Sequence, residues 1–395
     1  YAFFWMFLII LPVITPYYLH LGFSMQQIFL LQVAFGSCTL ILEVPSGYLA
    51  DLWGRKNTLI LGALLYAVGY GMFFFAHRFG QFLMVQLMLG AAMSLASGTD
   101  LALLYAWINT DTTTERAASA RVLAHRQMAQ VGSESMAALL GGTLVFWSFQ
   151  HVLSAQALVA VLPLGVAILL SEAPYVKMTT QHKENLKQVY THIFKTDDFL
   201  KLLFFNQMVW SLSTFVAVWT FQKYWQDLSI PLRWFGVLWA VFNLTVGMTG
   251  QQVQYWEERW GSHVLLHALA LLSIFGFWGM AIVLSLFHRQ ILPNPVLWGM
   301  ALVAGLGFQV SRGITGVLMR EAFNWRLPDS FRATANSLSS MAFRLGFALL
   351  GPLMGWLIDA WSLTVALGVM GAVFALAYLL FLPPLIQRIP EQLKS

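Results

Sequence analysis

Charged side chains lie inside long apolar runs of this sequence. A charge in an apolar medium is costly, and such residues mark solute paths, proton relays or buried ion pairs. The candidates are Glu43, Asp100, Arg126, Glu134, Arg312 and Arg344. A carboxyl group in an apolar site favours its protonated form and can carry a proton, whereas a guanidinium group binds anionic groups. We therefore expect these residues to line a cavity for a substrate and for protons.

The position of each residue along its predicted helix indicates which of these charges lie close together. Asp100 lies about eight residues before the end of one run, and Arg126 lies about five residues after the start of the next. Antiparallel helices bring such positions to a similar depth, so a contact is expected. Glu134 follows Arg126 by about two helical turns and shares its face. These three residues are predicted to line one cavity, with Glu134 or Glu43 carrying the proton; the alternative is a purely structural ion pair.

The composition shows which medium surrounds these charges. The chain has 395 residues, of which 58% are hydrophobic and only 10% are charged. Soluble domains are about a quarter charged, so this surface must face lipid. The net charge of +5 does not indicate nucleic-acid binding, because the basic residues fall in short loops between the apolar runs. The single cysteine, Cys38, excludes an intrachain disulfide.

Twelve apolar runs are long enough to span a membrane as helices. The predicted fold is all-α, with twelve transmembrane helices in two pseudo-repeated six-helix bundles. The bundles are residues 1–171 and 199–395, joined by a cytoplasmic linker loop at 172–198. The predicted spans are 1–19, 25–50, 57–76, 81–108, 121–147, 154–171, 199–222, 233–255, 263–287, 295–324, 334–359 and 363–383.

The loop charges predict the orientation. Lys and Arg residues number 13 in the loops of one side and 4 in those of the other. The richer side is expected to be cytoplasmic, which places both termini there. We expect a multi-pass protein of a bacterial inner membrane, in contact with lipids and monomeric.

The two halves also look weakly repeated. Asp51-Leu52-Trp53-Gly54-Arg55-Lys56 follows the second span, and Glu258-Arg259-Trp260-Gly261-Ser262-His263 follows the eighth. The acid and the Gly align between the two loops, while the basic pair does not. Two related helical bundles with a site between them are a known plan of transporters.

The stretch Gly47-Tyr48-Leu49-Ala50-Asp51-Leu52-Trp53-Gly54-Arg55-Lys56 resembles the signature of the major facilitator superfamily. Gly47 would allow close helix packing, and Gly54 would turn a short loop at positive φ. Arg55 and Lys56 would hold the loop in the cytoplasm, near anionic lipid headgroups.

The resemblance implies secondary transport by alternating access. It also implies that Asp51 acts as a latch near span 11, where Arg344 is a candidate partner. Gly47, Asp51, Gly54, Arg55 and Lys56 together form the predicted gating motif; the alternative is a loop that only sets topology.

Three classes of function stay open. The first is a secondary transporter of a small molecule, coupled to protons, with efflux slightly favoured. An alternative form of this hypothesis is a transporter that imports or exports an anionic or zwitterionic metabolite or chelate without proton coupling. In that case Arg126, Arg312 and Arg344 would bind the substrate. The others are a membrane enzyme, for which His125 near Asp100 is the candidate pair, and a non-transporting sensor. No phosphate-binding glycine loop and no metal-ligand spacing occur in the sequence, so we expect no cofactor, no metal and no enzymatic activity.

Overall fold

The computed structural model describes residues 1–110, 116–172 and 182–389, and the regular structure of this part of the chain is helical throughout. The chain divides into two compact units. The first unit comprises Tyr1–Phe23, Gln27–Thr179 and Pro231–Ala240. The second unit comprises Ser24–Gln26, Thr180–Ile230 and Val241–Ser395.

The first unit contains nine α-helices within its described residues, of which α3 begins with two residues of the second unit. They are α1 Ala2–Trp5, α2 Ile14–His20, α3 Met25–Trp53, α4 Arg55–Phe75, α5 Phe79–Ala96, α6 Thr99–Thr110, α7 Arg116–Leu144, α8 Phe149–Val159 and α9 Leu162–Leu169. An aromatic core holds these helices together. In it Phe82 meets Tyr18 and Phe73 edge to face at ring-centroid distances of 5.1 and 5.0 Å.

The second unit is built from eight described α-helices, of which α12 begins with six residues of the first unit. They are α10 His182–Thr191, α11 Asp198–Asp227, α12 Phe235–Trp260, α13 Ser262–His288, α14 Asn294–Ile314, α15 Arg320–Trp325, α16 Asp329–Ala360 and α17 Leu363–Gln387. Its core also consists of rings: Phe308 meets Phe277 at 4.7 Å and Phe221 at 5.8 Å. Such edge-to-face pairs pack apolar helices without any polar atom to satisfy.

These helices account for all twelve predicted spans. Within the described residues, nine helices, some joined across short breaks, are long and apolar enough to cross a membrane. The other three predicted spans correspond to the segment that contains α1 and α2, to α7, and to α12. Both α7 and α12 are long enough, at 29 and 26 residues, but polar side chains lower their hydropathy. Polar residues within a span face protein or a cavity rather than lipid, which is the environment expected for Arg126 and Glu134 on α7.

Several predicted spans are not continuous α-helices. The first span is interrupted between Trp5 and Leu11, where the N–H of Ile10 donates to Oε1 of Gln156 at 3.3 Å. The fourth breaks after Ala96, and the sixth after Val159. The tenth passes through a π-helical turn at Thr315–Met319. Neighbouring side chains can satisfy backbone groups freed at such breaks, so hydropathy alone does not reveal them.

Part of the predicted linker is also helical. His182–Thr191 form α10, and a π-helical turn at His192–Thr196 follows directly. The side chains of Val189 and Ile193 are fully buried. This burial explains why a stretch that reads as a polar loop folds onto the second unit.

Asp197 connects that segment to α11. Its Oδ1 accepts the N–H groups of Phe199 and Leu200, each at 3.0 Å, and so caps the helix. Its Oδ2 accepts Nε of Arg326 at 2.5 Å. Burial raises the pKa of the Asp197 carboxyl, but the hydrogen bonds from Arg326, Leu200 and Phe199 outweigh burial, so the net pKa lies below its ordinary value.

We predict a stability effect of Asp197 that depends on pH. Because the folded state favours the carboxylate, this contribution is complete above the unfolded pKa of about 3.9 and is lost as the pH falls through the lower folded pKa. Asp197→Ala should lower the free energy of unfolding by about 1 kcal/mol at pH 7. Thermal unfolding in detergent between pH 7 and pH 3 measures this effect. The difference in unfolding midpoint between the variant and the wild type should become smaller below pH 4. A difference that is constant with pH would contradict the stabilising role of the Asp197 carboxylate.

Candidate functional site

The predicted gating loop is a turn of a single residue. Helix α3 ends at Trp53 and α4 begins at Arg55, with only Gly54 between them. Gly54 has φ +91° and ψ 152°, a conformation that is open essentially to glycine alone. The glycine turn expected from the sequence is therefore present.

Glu172 caps the helix that follows this turn. Its Oε1 accepts the N–H of Arg55 at 3.1 Å, and its Oε2 accepts the N–H of Lys56 at 2.8 Å. A Cβ atom on Gly54 would lie 2.9 Å from Oε2 of Glu172, so this glycine also gives the carboxylate its space. A carboxylate at a helix N-terminus is favourable. The sequence analysis did not identify Glu172 as a functional residue, although this glutamate directly follows the sixth predicted span.

The side chain of Arg55 forms a hydrogen bond within this chain, beyond the role in loop orientation that the sequence predicts. Its Nη1 donates to the carbonyl of Ala102 on α6 at 2.7 Å. Lys56 is half-buried and Asp51 is exposed at the end of α3. The pairing of Asp51 with Arg344, and the gating role of the motif, stay predictions.

Gly47 is exposed on α3, and a Cβ atom placed on it would meet no heavy atom within 4 Å in the described structure. Close helix packing at Gly47 therefore stays a prediction. A close approach within the first unit occurs at Gly90, where a Cβ would lie 2.7 Å from the carbonyl oxygen of Phe35.

The break in the fourth span positions Asp100. Ser97 and Gly98 separate α5 from α6, and Asp100 lies in the first turn of α6. Its Oδ1 lies 2.7 Å from the N–H of Leu101. A carboxylate in the first turn interacts favourably with the partial positive charge of a helix N-terminus. The break therefore gives Asp100 a favourable place in the middle of an apolar run.

Asp100 and Arg126 form the ion pair that helix depth predicts. Nη2 of Arg126 donates to Oδ2 of Asp100, and Nη1 donates to Oε1 of Gln130 at 3.2 Å. The side chains of Arg126 and Asp100 are 25% and 17% exposed. This pair is thus largely shielded from water, and Gln130 is a second partner that the sequence reasoning did not include.

Glu134 and Glu43 are both half-buried. Glu134 lies on α7, eight residues after Arg126, and Glu43 lies on α3 before Pro45. Near Glu43, the hydroxyl of Ser46 contacts the backbone carbonyl of Glu43 and the hydroxyl of Ser94, at 3.0 and 2.9 Å. These contacts join α3 to α5 beside Glu43. Proton carriage by either carboxyl stays a prediction.

The two arginines of the second unit lie on different helices. Arg312 is exposed on α14, just before the π-helical turn. Arg344 is half-buried at the middle of α16, and its Nε donates to Oγ of Ser340 at 3.4 Å. Their binding of substrate stays a prediction.

The second unit repeats the glycine turn of the first. Gly261 joins α12 to α13 with φ +80° and ψ 153°, nearly the angles of Gly54. Here Oε1 of Glu257 accepts the hydroxyl of Ser262 at 2.6 Å. The alignment of the two loops in sequence thus corresponds to one backbone conformation used twice.

Comparison with known proteins identifies the fold. The family model described as the Major Facilitator Superfamily matches residues 1–326. The chain belongs to the Major Facilitator Superfamily. A search of curated protein sequences finds no significant match.

Solved structures agree with this assignment. The nucleoside transporter NupG superposes with a TM-score of 0.80 at 12% identity, covering 98% of each chain. A D-xylose-proton symporter superposes with a TM-score of 0.66 at 14% identity, covering 96% of this chain and 94% of that one. A POT family transporter in complex with a thioalcohol-conjugated peptide superposes with a TM-score of 0.70 at 12% identity, covering 97% of this chain and 94% of that one. At such identities the likeness shows the fold alone.

Membership of the superfamily establishes the fold class and the broad role. The chain is a multi-pass integral membrane protein with the twelve-helix, two-bundle architecture, and it is a secondary transporter rather than an enzyme. Among the described residues, no cluster of His, Cys, Asp and Glu could hold a metal ion. His125, the candidate for an enzymatic pair, is exposed, and the carboxylate of Asp100 is bound to Arg126.

We predict that Gly54→Ala destabilises the protein. The substitution forces an L-residue into a positive φ and places its Cβ against Glu172, so the free energy of unfolding should fall by about 1–3 kcal/mol. Thermal unfolding in detergent measures this. The matched control is Gly71→Ala on α4, where a Cβ would meet nothing within 4 Å. Equal stability of the two variants would contradict the account of the turn.

We also predict energetic coupling between Asp100 and Arg126. In a double-mutant cycle of Asp100→Asn and Arg126→Gln, each single change leaves the partner's charge without its counter-ion, so the pair should show about 1–2 kcal/mol of coupling. Unfolding midpoints of the four proteins measure it. Arg388→Gln with Asp198→Asn, an ion pair whose side chains are 50% and 67% exposed, is the comparison and should show weaker coupling. Additive effects at Asp100 and Arg126 would rule out an energetic pair.

Proposed function

We propose that this transporter moves a small molecule by alternating access, that protons drive the movement, and that efflux is the favoured direction. The observation that carries the proposal is the polar stretch of α7. Arg126, Gln130 and Glu134 recur at four-residue spacing along a helix of a chain that is otherwise apolar, and this spacing places them along one side of the helix.

The polar residues of α7 differ in their surroundings. The guanidinium group of Arg126 neutralises Asp100 and also binds Gln130. Glu134 is half-buried further along the same helix. A carboxyl group within an apolar span can take up and release a proton, so Glu134 is the first candidate for the carrier, with Glu43 as the second. Charges kept inside a membrane protein commonly serve such relays.

A substrate with an anionic group is the second possibility. Arg312 and Arg344 lie within spans, and guanidinium groups bind carboxylates and phosphates through paired hydrogen bonds. They favour a metabolite or chelate that carries a negative charge, moved in either direction without protons. The names of the similar structures span nucleoside, sugar and peptide transport, and one fold hosts many substrates.

The topology that we propose places both termini in the cytoplasm, as the loop charges predict. In that arrangement the loop of Asp51, Gly54, Arg55 and Lys56 lies at the cytoplasmic end of the first unit. Its cap by Glu172 and the bond of Arg55 to α6 lie within the first unit and fix the conformation of this loop. A loop of fixed conformation supports a role for the motif in closing the cytoplasmic side.

We predict that Glu134→Gln abolishes proton coupling. Purified protein in proteoliposomes with a pH-sensitive dye would be screened with cationic, zwitterionic and anionic compounds. A compound that drives proton movement in wild type should fail to do so in Glu134→Gln, because a glutamine cannot release a proton. Glu321→Gln is the matched control, since Glu321 is exposed on α15. If Glu134→Gln retains proton flux, another residue carries the proton. If solute moves without proton flux in the wild type, the alternative of transport without proton coupling is favoured.

A further inference from the structure

A groove in the first unit lies where α7 ends and α12 begins. Its volume is about 380 Å³, within the usual range for ligand pockets in proteins. Its lining comes from two segments that both belong to the first unit, and it includes Gly142, Phe146, Trp147, Arg233, Trp234 and Val237. Arg233 is the one charged residue of this lining, and most of the remaining surface is apolar.

Two glycines give the groove its shape. A Cβ atom on Gly236 of α12 would lie 2.1 Å from the carbonyl oxygen of Ala138 and 2.9 Å from Cα of Gly142, both on α7. Helices approach this closely where small residues face each other. Phe146 follows Gly142 by four residues, and Val237 follows Gly236 directly. Larger side chains therefore flank the contact of the two glycines and form walls of the groove.

The groove lies at the ends of two spans. Helix α7 ends at Leu144, shortly before Phe146 and Trp147, and Arg233 and Trp234 lie in the 3₁₀ turn that precedes α12. The side chains of Phe146, Trp147 and Trp234 are 69%, 66% and 48% exposed. Tryptophan is enriched at this level of a membrane, where hydrocarbon meets the headgroups. The molecule that covers these exposed rings is therefore a lipid.

The groove also offers hydrogen-bond donors to that lipid. Arg233 is exposed and takes part in none of the ion pairs among the described residues. The nearest acid along the chain, Asp227, is bound to Lys223. Within the part of the chain that the structure describes, the indole N–H groups of Trp147 and Trp234 donate no hydrogen bond. One cation and two neutral donors thus border an apolar groove.

We propose that the groove binds an anionic phospholipid. An acyl chain lies against Phe146 and Val237, and the phosphate accepts hydrogen bonds from the guanidinium group of Arg233. The indole N–H groups of Trp147 and Trp234 donate to phosphate or ester oxygens. A guanidinium group binds phosphate through paired hydrogen bonds, and a basic residue at the membrane surface attracts anionic lipids. This site does not depend on the transported solute or on proton coupling.

Native mass spectrometry of the purified, delipidated protein tests the preference for the headgroup. The probes are dioleoyl phosphatidylglycerol, which is anionic, and dioleoyl phosphatidylcholine, whose choline group neutralises the phosphate. Wild type should bind phosphatidylglycerol about fivefold more tightly than phosphatidylcholine. Arg233→Gln should remove this preference, and Arg233→Lys, which keeps the charge, should retain part of it. The matched control is Arg289→Gln, an exposed arginine of another loop, which should leave the preference unchanged.

A second variant tests the place of the acyl chain. Val237→Trp sets a large ring into the groove and should weaken binding of both lipids about tenfold, because the acyl chain loses apolar contact. Val303→Trp is the control, since Val303 is an exposed valine of α14, and it should bind both lipids as wild type does. The lipid-free unfolding midpoints of the variants should match the wild type, because Arg233 and Val237 are exposed.

Four results would overturn the site. They are equal affinity of wild type for the two lipids, a preference that survives in Arg233→Gln, the same loss of preference in Arg289→Gln, and unchanged lipid binding in Val237→Trp. A loss of binding that follows a lower unfolding midpoint in both Arg233→Gln and Val237→Trp would overturn it as well. Loss of the preference in Arg233→Gln and weaker binding of both lipids in Val237→Trp, at unchanged midpoints, support it.

Discussion

The need to satisfy every backbone group without water governs this structure. The hydrocarbon core of a membrane offers no hydrogen bonds, so each helix end or break must find a partner within the protein. In the loops outside that core, carboxylates cap the first N–H groups of several helices. Glu172 accepts from the first residues of α4, Asp197 from those of α11, and Asp359 from Met25 and Gln26 at 2.9 and 2.8 Å. Gln156 does the same for Ile10 in the interrupted first span.

This constraint also explains where the charges of the candidate site lie. A break after Ala96 gives α6 its own N-terminus in the middle of a span, and Asp100 lies in its first turn. Arg126 then neutralises Asp100, while Arg55 satisfies a carbonyl of the same short helix. The motif loop and the ion pair therefore meet on α6.

Part of the site followed from the sequence because it depends on local geometry. The glycine turn at Gly54 needs a residue that tolerates positive φ, and the contact of Asp100 with Arg126 follows from equal depth on antiparallel helices. Glu172 could not be found this way, because its contact with Arg55 spans 117 positions of the chain. Glycine at position 47 permits close helix packing because it has no side chain, but it does not require such packing.

The sequence by itself determined the class of the protein. Apolar runs of about 20 residues with few charges are stable as helices that face lipid. The loop that carries Asp51, Gly54, Arg55 and Lys56 identified the family that the comparisons confirmed. The tertiary structure decided where the helices are interrupted, which side chains cap them, and which residues at the ends of α7 and α12 line one groove. Hydropathy records how apolar a segment is, whereas a cap or an ion pair depends on which distant side chain packs against it.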